Sequence, residues 1–145
     1  MLITEYKSNG SLYDLLELQR KGKALSFFNN TAKYIITYGI AKGMEFLHDN
    51  NVIHRDLKPQ NILLNEYFLP TIGDFGLAKI IDPENPDRQS TMAGTFIYQA
   101  PEILKGKEYN MKVDIYAFGI VLYEIVTGQR PYHNYLNNPP RLLFR

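Results

Sequence analysis

The chain has 145 residues, of which 45% are hydrophobic and 21% are charged, and its formal net charge is +1. This length fits one domain, and the balanced charge shows no electrostatic footprint for nucleic-acid binding. The sequence contains no cysteine, which excludes disulfide bonds and thiolate metal sites and is typical of reducing compartments. We therefore expect a cytoplasmic protein without a nucleic-acid partner.

The N-terminal part of the chain predicts a strand, a turn and a short helix. Residues 1–6 begin with three apolar residues and predict the strand, and the polar residues after them predict the turn. The helix is indicated by a stripe of four leucines, Leu12, Leu15, Leu16 and Leu18. It should end at residues 21–23, which contain a glycine.

A longer amphipathic helix follows. Thr31 is of a residue type that caps helix N-termini, and we expect it to be the cap. Apolar residues then recur at spacings of four and three and should share the buried face, namely Ile36, Ile40, Met44 and Leu47. Residues 49–51 are turn-forming and predict the end of this helix.

The middle of the chain predicts a hairpin and a long loop. Residues 62–64 and 69–72 are short strand candidates on either side of Asn65 and Glu66. Residues 81–100 contain prolines and many small polar residues without periodicity, so they predict a loop. Loops of this length within a compact domain are usually functional.

Residues 112–127 predict a helix that is apolar nearly all round and therefore belongs in the middle of a domain. Since little chain follows it, we expect part of its surface to be exposed and to offer a hydrophobic site for a partner. Its apolar run is interrupted by Gly119 and Glu124 and is too short to cross a bilayer. We therefore expect no membrane partner.

The chemistry of the chain is concentrated in two short motifs. Residues 54–61 read His-Arg-Asp-Leu-Lys-Pro-Gln-Asn, and an Asp-Phe-Gly motif begins at Asp74. Phosphoryl transfer requires mainly alignment of the nucleophile and neutralisation of charge on the phosphate oxygens. Asp56 can accept a hydroxyl proton, Lys58 can reach the same phosphate, and Asn61 and Asp74 can bind Mg²⁺. The motifs therefore predict a site for ATP and Mg²⁺.

Together with an Ala-Pro-Glu motif at residues 100–102, these motifs resemble the catalytic lobe of a eukaryotic-type protein kinase. The resemblance covers nearly the whole chain. It implies an α+β fold in which a mainly helical large lobe carries a short β-hairpin. It also implies that residues 1–145 are a partial kinase domain, with the hinge strand at residues 1–10 and an incomplete large lobe at residues 11–145.

The same resemblance implies roles for residues whose types carry no chemistry alone. It identifies Thr4 as the gatekeeper, places adenine against the backbone from Glu5 to Lys7, and puts Leu63 under the adenine ring. Residues 54–61 resemble the catalytic loop, and Asp114 resembles the buried aspartate that holds the backbone of that loop. The role that it implies for His54 is structural.

Two positions indicate the substrate class. Lys58 and the Gly94-Thr95 pair resemble serine/threonine kinases, which implies a protein substrate with a serine or threonine hydroxyl. The sequences of residues 94–98 and 114–124 most resemble those of the tyrosine-kinase-like group of these kinases.

The resemblance identifies the Ala-Pro-Glu motif as the end of the activation segment, 28 residues beyond Asp74. Arg55 directly precedes Asp56 and can pair with a phosphate on this segment in a bidentate way. Thr91 matches the usual phosphosite of the family, with Ser90 as the second candidate, and an unmodified loop threonine is the alternative. We hypothesise that Thr91 is phosphorylated.

Kinase domains also have a small lobe before the hinge, with a glycine-rich loop, a strand lysine and a helical glutamate. Only six residues precede Lys7 here, so we expect the small lobe and the last helices to be missing. Two functions therefore remain open. The first is a protein serine/threonine kinase, and the second is a catalytically inactive kinase fragment or kinase-like interaction module.

Overall fold

A computed structural model of the chain describes residues 7–80 and 95–132. The strand predicted at residues 1–6 and most of the predicted loop lie outside these ranges. Within them the chain is α+β, as expected. The helices are α1 (Leu12–Arg20), α2 (Asn30–Asp49), α3 (Pro101–Leu104) and α4 (Lys112–Thr127), and the strands are β1 (Val52–Ile53), β2 (Ile62–Leu64), β3 (Pro70–Ile72) and β4 (Lys79–Ile80).

Helix α1 begins with a capping box. The Ser11 side chain accepts a hydrogen bond from the Asp14 backbone N–H at 3.3 Å, and the Asp14 carboxylate accepts one from the Ser11 N–H at 2.9 Å. Three of the four predicted leucines are buried, but Leu18 is 36% exposed. Leu18 lies away from the stripe because a helix turns about 100° per residue.

Helix α2 forms where its apolar pattern predicts, and all four residues of the predicted buried face are buried. The predicted cap is wrong. Asn29 caps the helix, since its side chain accepts a hydrogen bond from the Ala32 N–H at 3.1 Å. Thr31 lies inside the first turn, because an asparagine two residues earlier already satisfies an N-terminal amide.

The predicted hairpin is confirmed in its pairing. Strands β2 and β3 are antiparallel, with Ile62 opposite Ile72 and Leu64 opposite Pro70. The second strand begins at Pro70 rather than at Leu69, whose N–H and C=O groups are bound within the turn by Asn65. Strands β1 and β4 form a second antiparallel pair, which the sequence did not predict because two residues are too few to show alternation.

Helix α2 packs against β3 through two glycines. A Cβ atom at Gly39 would lie 2.6 Å from Cγ of Pro70, and one at Gly43 would lie 2.9 Å from Cδ1 of Ile72. Both distances are shorter than real Cβ contacts, so an added Cβ atom would force a shift. At Gly39 it would meet the ring of Pro70, which cannot move away easily, whereas the end of the Ile72 side chain can move away from Gly43. The hairpin is therefore fixed directly on the backbone of α2.

Helix α4 has the predicted bounds and two unlike sides. Its buried side contains four apolar residues together with Asp114 and Glu124, each 1% exposed. On the other side Ile115 is 54%, Tyr123 42% and Val126 64% exposed, which confirms that part of its surface meets solvent. No helix in residues 7–80 and 95–132 is long and apolar enough to cross a membrane.

The buried apolar residues form two groups. The larger core joins α1, α2, α4 and β2. A smaller cluster consists of Ile53, Ala100, Ile103 and Val113, with Tyr109, Met111 and Tyr116 packed against it. Helix α3 contributes to this smaller cluster and was not predicted, because four residues show no helical period.

Candidate active site

The loop between β1 and β2 is hydrogen-bonded to α4 through the carboxylate of Asp114. Oδ2 of Asp114 accepts hydrogen bonds from the His54 N–H at 2.8 Å and from His48 Nε2 at 3.0 Å. Oδ1 of Asp114 accepts one from the Arg55 N–H at 2.9 Å. Asp114 therefore holds the backbone of this loop, as the resemblance implied.

His54 is fully buried and is bound at both ring nitrogens. Its Nε2 lies 3.0 Å from the Gly73 carbonyl oxygen, and its Nδ1 accepts the Asp56 N–H at 3.3 Å. These partners require the neutral tautomer with the proton on Nε2, because a carbonyl accepts and an N–H donates. The ring therefore orients Asp56 and joins two segments, which agrees with a structural role.

The Asp56 carboxylate is the centre of a hydrogen-bond network. Its Oδ1 accepts the Thr95 N–H at 3.0 Å. Its Oδ2 accepts from Lys58 Nζ at 2.6 Å and from Asn61 Nδ2 at 3.0 Å. Lys58 Nζ also donates to Thr95 Oγ1 at 2.9 Å. The structure thus brings together Asp56, Lys58 and Asn61, and it adds Thr95.

Asn61 and Asp74 lie at the same end of the hairpin. The Gly73 N–H donates to the Asn61 carbonyl at 2.8 Å, one residue before Asp74. The Asn61 side-chain amide donates to the Asp56 carbonyl at 2.8 Å and to its carboxylate, so the amide oxygen remains as an acceptor. Asp74 is exposed and has a left-handed backbone, with φ 59°.

The proposed adenine residues are only partly described. Thr4 and Glu5 lie outside the described residues. The segment after Lys7 runs along β2, since the Asn9 N–H donates to the Leu64 carbonyl and the Leu64 N–H donates to the Gly10 carbonyl. Leu63 is half-buried on this strand and forms an isolated bridge with Ser11.

Of the three predicted regulatory residues, the structure describes Arg55 alone. Thr91 and Ser90 lie outside the described residues. Arg55 has a left-handed backbone, with φ 67°. Its Nε donates to the Leu77 carbonyl at 2.5 Å, and its Nη1 donates to the Tyr109 hydroxyl at 3.0 Å.

Sequence reasoning missed a second charged network, which joins α1 and α4. Oε1 of the buried Glu124 accepts the Tyr98 hydroxyl at 2.6 Å, and Oε2 pairs with Arg20 Nη2 at 2.5 Å. Burial, reinforced by the bond to Glu124, raises the pKa of the Tyr98 hydroxyl. The sequence did contain a signal for this network, namely a glutamate within the apolar helix α4. A buried carboxylate requires hydrogen-bond or charged partners.

Arg20 extends the network to the surface. It donates to the Gly128 carbonyl at 2.8 Å and pairs with Glu17 at 2.9 Å. Arg130 pairs with the same Glu17 oxygen at 2.8 Å. The hydrogen bond from Arg130, with that from Arg20, lowers the pKa of the Glu17 carboxyl against a smaller opposing effect of burial. Helices α1 and α4 are therefore linked by charge as well as by apolar packing.

No three His, Asp or Glu side chains within the described residues are arranged to hold a metal ion by themselves. A cavity of about 290 Å³ lies elsewhere, between the start of α2 and the β2–β3 turn. It is lined by aromatic and aliphatic side chains with Asn29 and Thr31. None of the motif residues line it.

The family model for the protein kinase domain matches residues 1–140. Receptor-like protein kinase 7 of Arabidopsis thaliana is 45% identical over 137 residues, which are 90% of this chain and 14% of that protein. Serine/threonine-protein kinase STY46 of the same plant is 37% identical over 131 residues, covering 90% of this chain and 22% of that protein. Dual specificity protein kinase shkB of Dictyostelium discoideum is 34% identical over 142 residues, covering 98% and 21%.

The chain thus spans between 14% and 22% of the length of these relatives. The match to the family model extends over both motif segments and α4, which carry the geometry described above. The chain belongs to the protein kinase domain family.

Proposed function

We propose that this chain carries the acid-base and metal side of a protein serine/threonine kinase centre. The observation that supports this most is the Asp56 carboxylate, which is 8% exposed and accepts three hydrogen bonds. An ionised carboxylate has about four acceptor positions. One position therefore remains for the proton of a substrate hydroxyl.

In this proposal the substrate oxygen attacks the γ-phosphorus of ATP, its proton passes to Asp56, and the bond to ADP breaks. Lys58 bridges Asp56 and Thr95 and carries a positive charge beside the carboxylate. Such a charge favours the developing phosphate charge in the transition state. The backbone N–H of Thr95 fixes the orientation of the base.

The donor set suits Mg²⁺ held jointly with a nucleotide. Mg²⁺ prefers oxygen ligands and usually binds one or two protein groups together with phosphate oxygens. The Asn61 amide oxygen and the Asp74 carboxylate are the oxygens that this chain would supply. When bound, the ion would neutralise charge on the phosphates.

We assign residues 1–10 to the hinge strand and residues 11–145 to the large lobe of the kinase fold. The hydrogen bonds that join Asn9 and Gly10 to Leu64 of β2 support this assignment, because they bring the segment after Lys7 alongside Leu63. Thr4, Glu5, Lys7 and Leu63 would then surround adenine. Leu63 would form the floor of the site.

The proposed substrate class and regulation rest on the resemblance of individual residues to those of protein kinases. Lys58 and the Gly94-Thr95 pair support a serine or threonine substrate, and we retain the tyrosine-kinase-like group for this chain. We also propose that Thr91, with Ser90 as the second candidate, is phosphorylated and pairs with Arg55. A cytoplasmic location is proposed from the absence of cysteine.

The test is transfer of labelled phosphate from ATP to a generic basic protein, together with the affinity for ATP and Mg²⁺. Asp56→Asn should lower the rate by about 100-fold or more, the usual contribution of a general base. Asp74→Ala should weaken the Mg²⁺-dependent binding of ATP. Asp49→Asn, which changes an exposed aspartate at the end of α2, is the matched control and should change neither.

Rates that Asp56→Asn leaves unchanged would contradict the assigned base. Nucleotide binding that is absent from the wild-type chain would contradict an active centre and favour the second function. That function is a non-catalytic kinase-like interaction module, and a specific observation supports it. The exposed face of α4, formed by Ile115, Tyr123 and Val126, is apolar and fits a hydrophobic partner.

A further inference from the structure

The Arg55 side chain joins three segments of the chain. Its backbone N–H is bound to Asp114 on α4. Its Nε reaches the Leu77 carbonyl in the turn after Asp74, and its Nη1 reaches the Tyr109 hydroxyl in the loop between α3 and α4. Movement of this guanidinium would therefore displace both the loop that carries Asp56 and the turn after Asp74.

The Arg55 backbone needs such support. Its φ of 67° lies in the left-handed region, which is unfavourable for a residue with a Cβ atom. Strained residues persist only where the surrounding contacts determine their conformation. For Arg55 these contacts are the carboxylate of Asp114 and the two side-chain hydrogen bonds.

Tyr109 is well suited to this task. Its ring packs against the smaller apolar cluster, which fixes the position of the hydroxyl. In the described residues that hydroxyl has Arg55 as its hydrogen-bond partner. A bond between a neutral hydroxyl and a guanidinium is charge-assisted and stronger than a neutral one.

We propose that Tyr109 is a positioning residue of the kinase centre. Its hydroxyl holds Arg55, and through Arg55 it sets both Asp56 and the turn after Asp74 without needing a phosphate group. Among the described residues, Nε and Nη1 are the atoms of the Arg55 guanidinium that have hydrogen-bond partners. This inference rests on the proposed function and adds to it a residue outside the motifs.

The experiment compares Tyr109→Phe with Tyr116→Phe in the full chain. Each change removes one hydroxyl from a ring packed on the same cluster. The Tyr116 hydroxyl contacts that of Tyr132 at 3.3 Å and does not contact Arg55. The two variants therefore share any packing effect and differ in the bond under test.

Amide hydrogen exchange is the first measurement. In Tyr109→Phe we expect exchange to rise about tenfold at Arg55 and at Ala78, whose N–H closes the turn after Asp74. Exchange in α2, which is distant from this bond in sequence and carries none of its partners, should rise much less than at Arg55 and Ala78. Unchanged exchange at Arg55 and Ala78, or a uniform rise throughout the chain, would overturn the proposal.

Phosphate transfer is the second measurement. Tyr109→Phe should lower kcat about tenfold with an unchanged KM for ATP, since a hydrogen bond to a charged group is lost from the positioning of the base. A higher KM with unchanged kcat would overturn the positioning role. If the wild-type chain transfers no phosphate, the proposed function fails, and the exchange result alone decides the role of Tyr109.

Discussion

At the scale of single residues, Glu124 shows how a charge is kept inside an apolar helix. Both of its carboxylate oxygens are bound, one by Tyr98 and the other by Arg20. Removing one partner of a buried pair is costly because the other charge stays buried without compensation. The side chain of Arg20 is only 14% exposed, so it would be such a charge.

We expect Glu124→Ala to lower the free energy of unfolding by about 3 kcal/mol. Glu124→Gln keeps an acceptor for the Tyr98 hydroxyl and should cost less. Urea unfolding of both variants measures the difference. Equal midpoints for Glu124→Ala and the wild type would show that the network contributes nothing to stability.

Glu17 leads to a prediction about acid. Its carboxyl pKa is lowered below the ordinary value of 4.5, chiefly by the hydrogen bond from Arg130. A lowered pKa in the folded state means that the stabilisation is complete above the unfolded value and is lost as the pH falls below it. Acid should therefore weaken the link between α1 and Arg130.

Glu17→Gln should lower the free energy of unfolding by about 1 kcal/mol at neutral pH, the upper range for partly exposed ion pairs. Below pH 4.5, the ordinary pKa, the difference from the wild type should shrink towards zero. Urea unfolding of the variant and the wild type, at neutral pH and below pH 4.5, measures this difference in the free energy of unfolding. A difference that stays constant or grows as the pH falls would contradict the lowered pKa.

At the scale of elements, the contact between α2 and β3 depends on the absence of side chains. Gly39→Ala should destabilise the fold by about 1 to 3 kcal/mol, the usual cost of overpacking. The overlap with Pro70 outweighs the gain of about 1 kcal/mol that alanine brings to a helix. Thermal or urea unfolding gives the value.

Gly119→Ala is the matched control in α4. A Cβ atom there meets nothing within 4 Å, so the variant should be stabilised by up to about 1 kcal/mol. If Gly39→Ala is equally stabilising, the close approach of α2 and β3 is not a constraint on the fold.

The elements also mark what a single sequence can predict. Helices α2 and α4 are long enough to show their period, and their buried faces follow from it. The cap at Asn29 was missed because three cap-forming residues, at positions 29–31, follow one another and the pattern does not choose among them. Strands β1 and β4 depend on pairing between residues far apart in sequence, which no local pattern contains.

The candidate site likewise contains residues whose proximity the sequence predicted and residues whose contacts it did not predict. Asp56, Lys58 and Asn61 are close in sequence, so their proximity followed from the motif. Thr95 contacts this network through its backbone N–H, which donates to Asp56, and through its hydroxyl, which accepts from Lys58. The sequence indicated Thr95 only as a marker of substrate class, and these tertiary contacts were not predicted. Tyr109 and Tyr98 likewise act through single hydroxyls that depend on tertiary contacts.

At the scale of the whole molecule, helix α4 exposes an apolar face, formed by Ile115, Tyr123 and Val126. Substituting Ile115→Lys together with Val126→Lys should leave the free energy of unfolding within about 0.5 kcal/mol, because both side chains already meet solvent. Self-association or partner binding through this face should weaken. Sedimentation at several concentrations compares the variant with the wild type.

Stability that drops by several kcal/mol would show that this face is buried in solution. Association that is unchanged in the variant would mean that another surface is responsible. Tyr34→Lys, at an exposed tyrosine of α2, is a suitable control for the added charge.

The attachment of the catalytic loop to Asp114 also limits where this chain tolerates changes of length. A helix turns about 100° per residue, so one residue inserted within the first turn of α4 would swing the carboxylate away from the His54 and Arg55 amides. The loop between α3 and α4 begins with four exposed residues, 105–108, and carries a turn at Gly106 with φ 60°, so additions before Tyr109 are absorbed more easily. Insertions and deletions compatible with a working loop should therefore fall between Gly106 and Tyr109 and spare the first turn of α4.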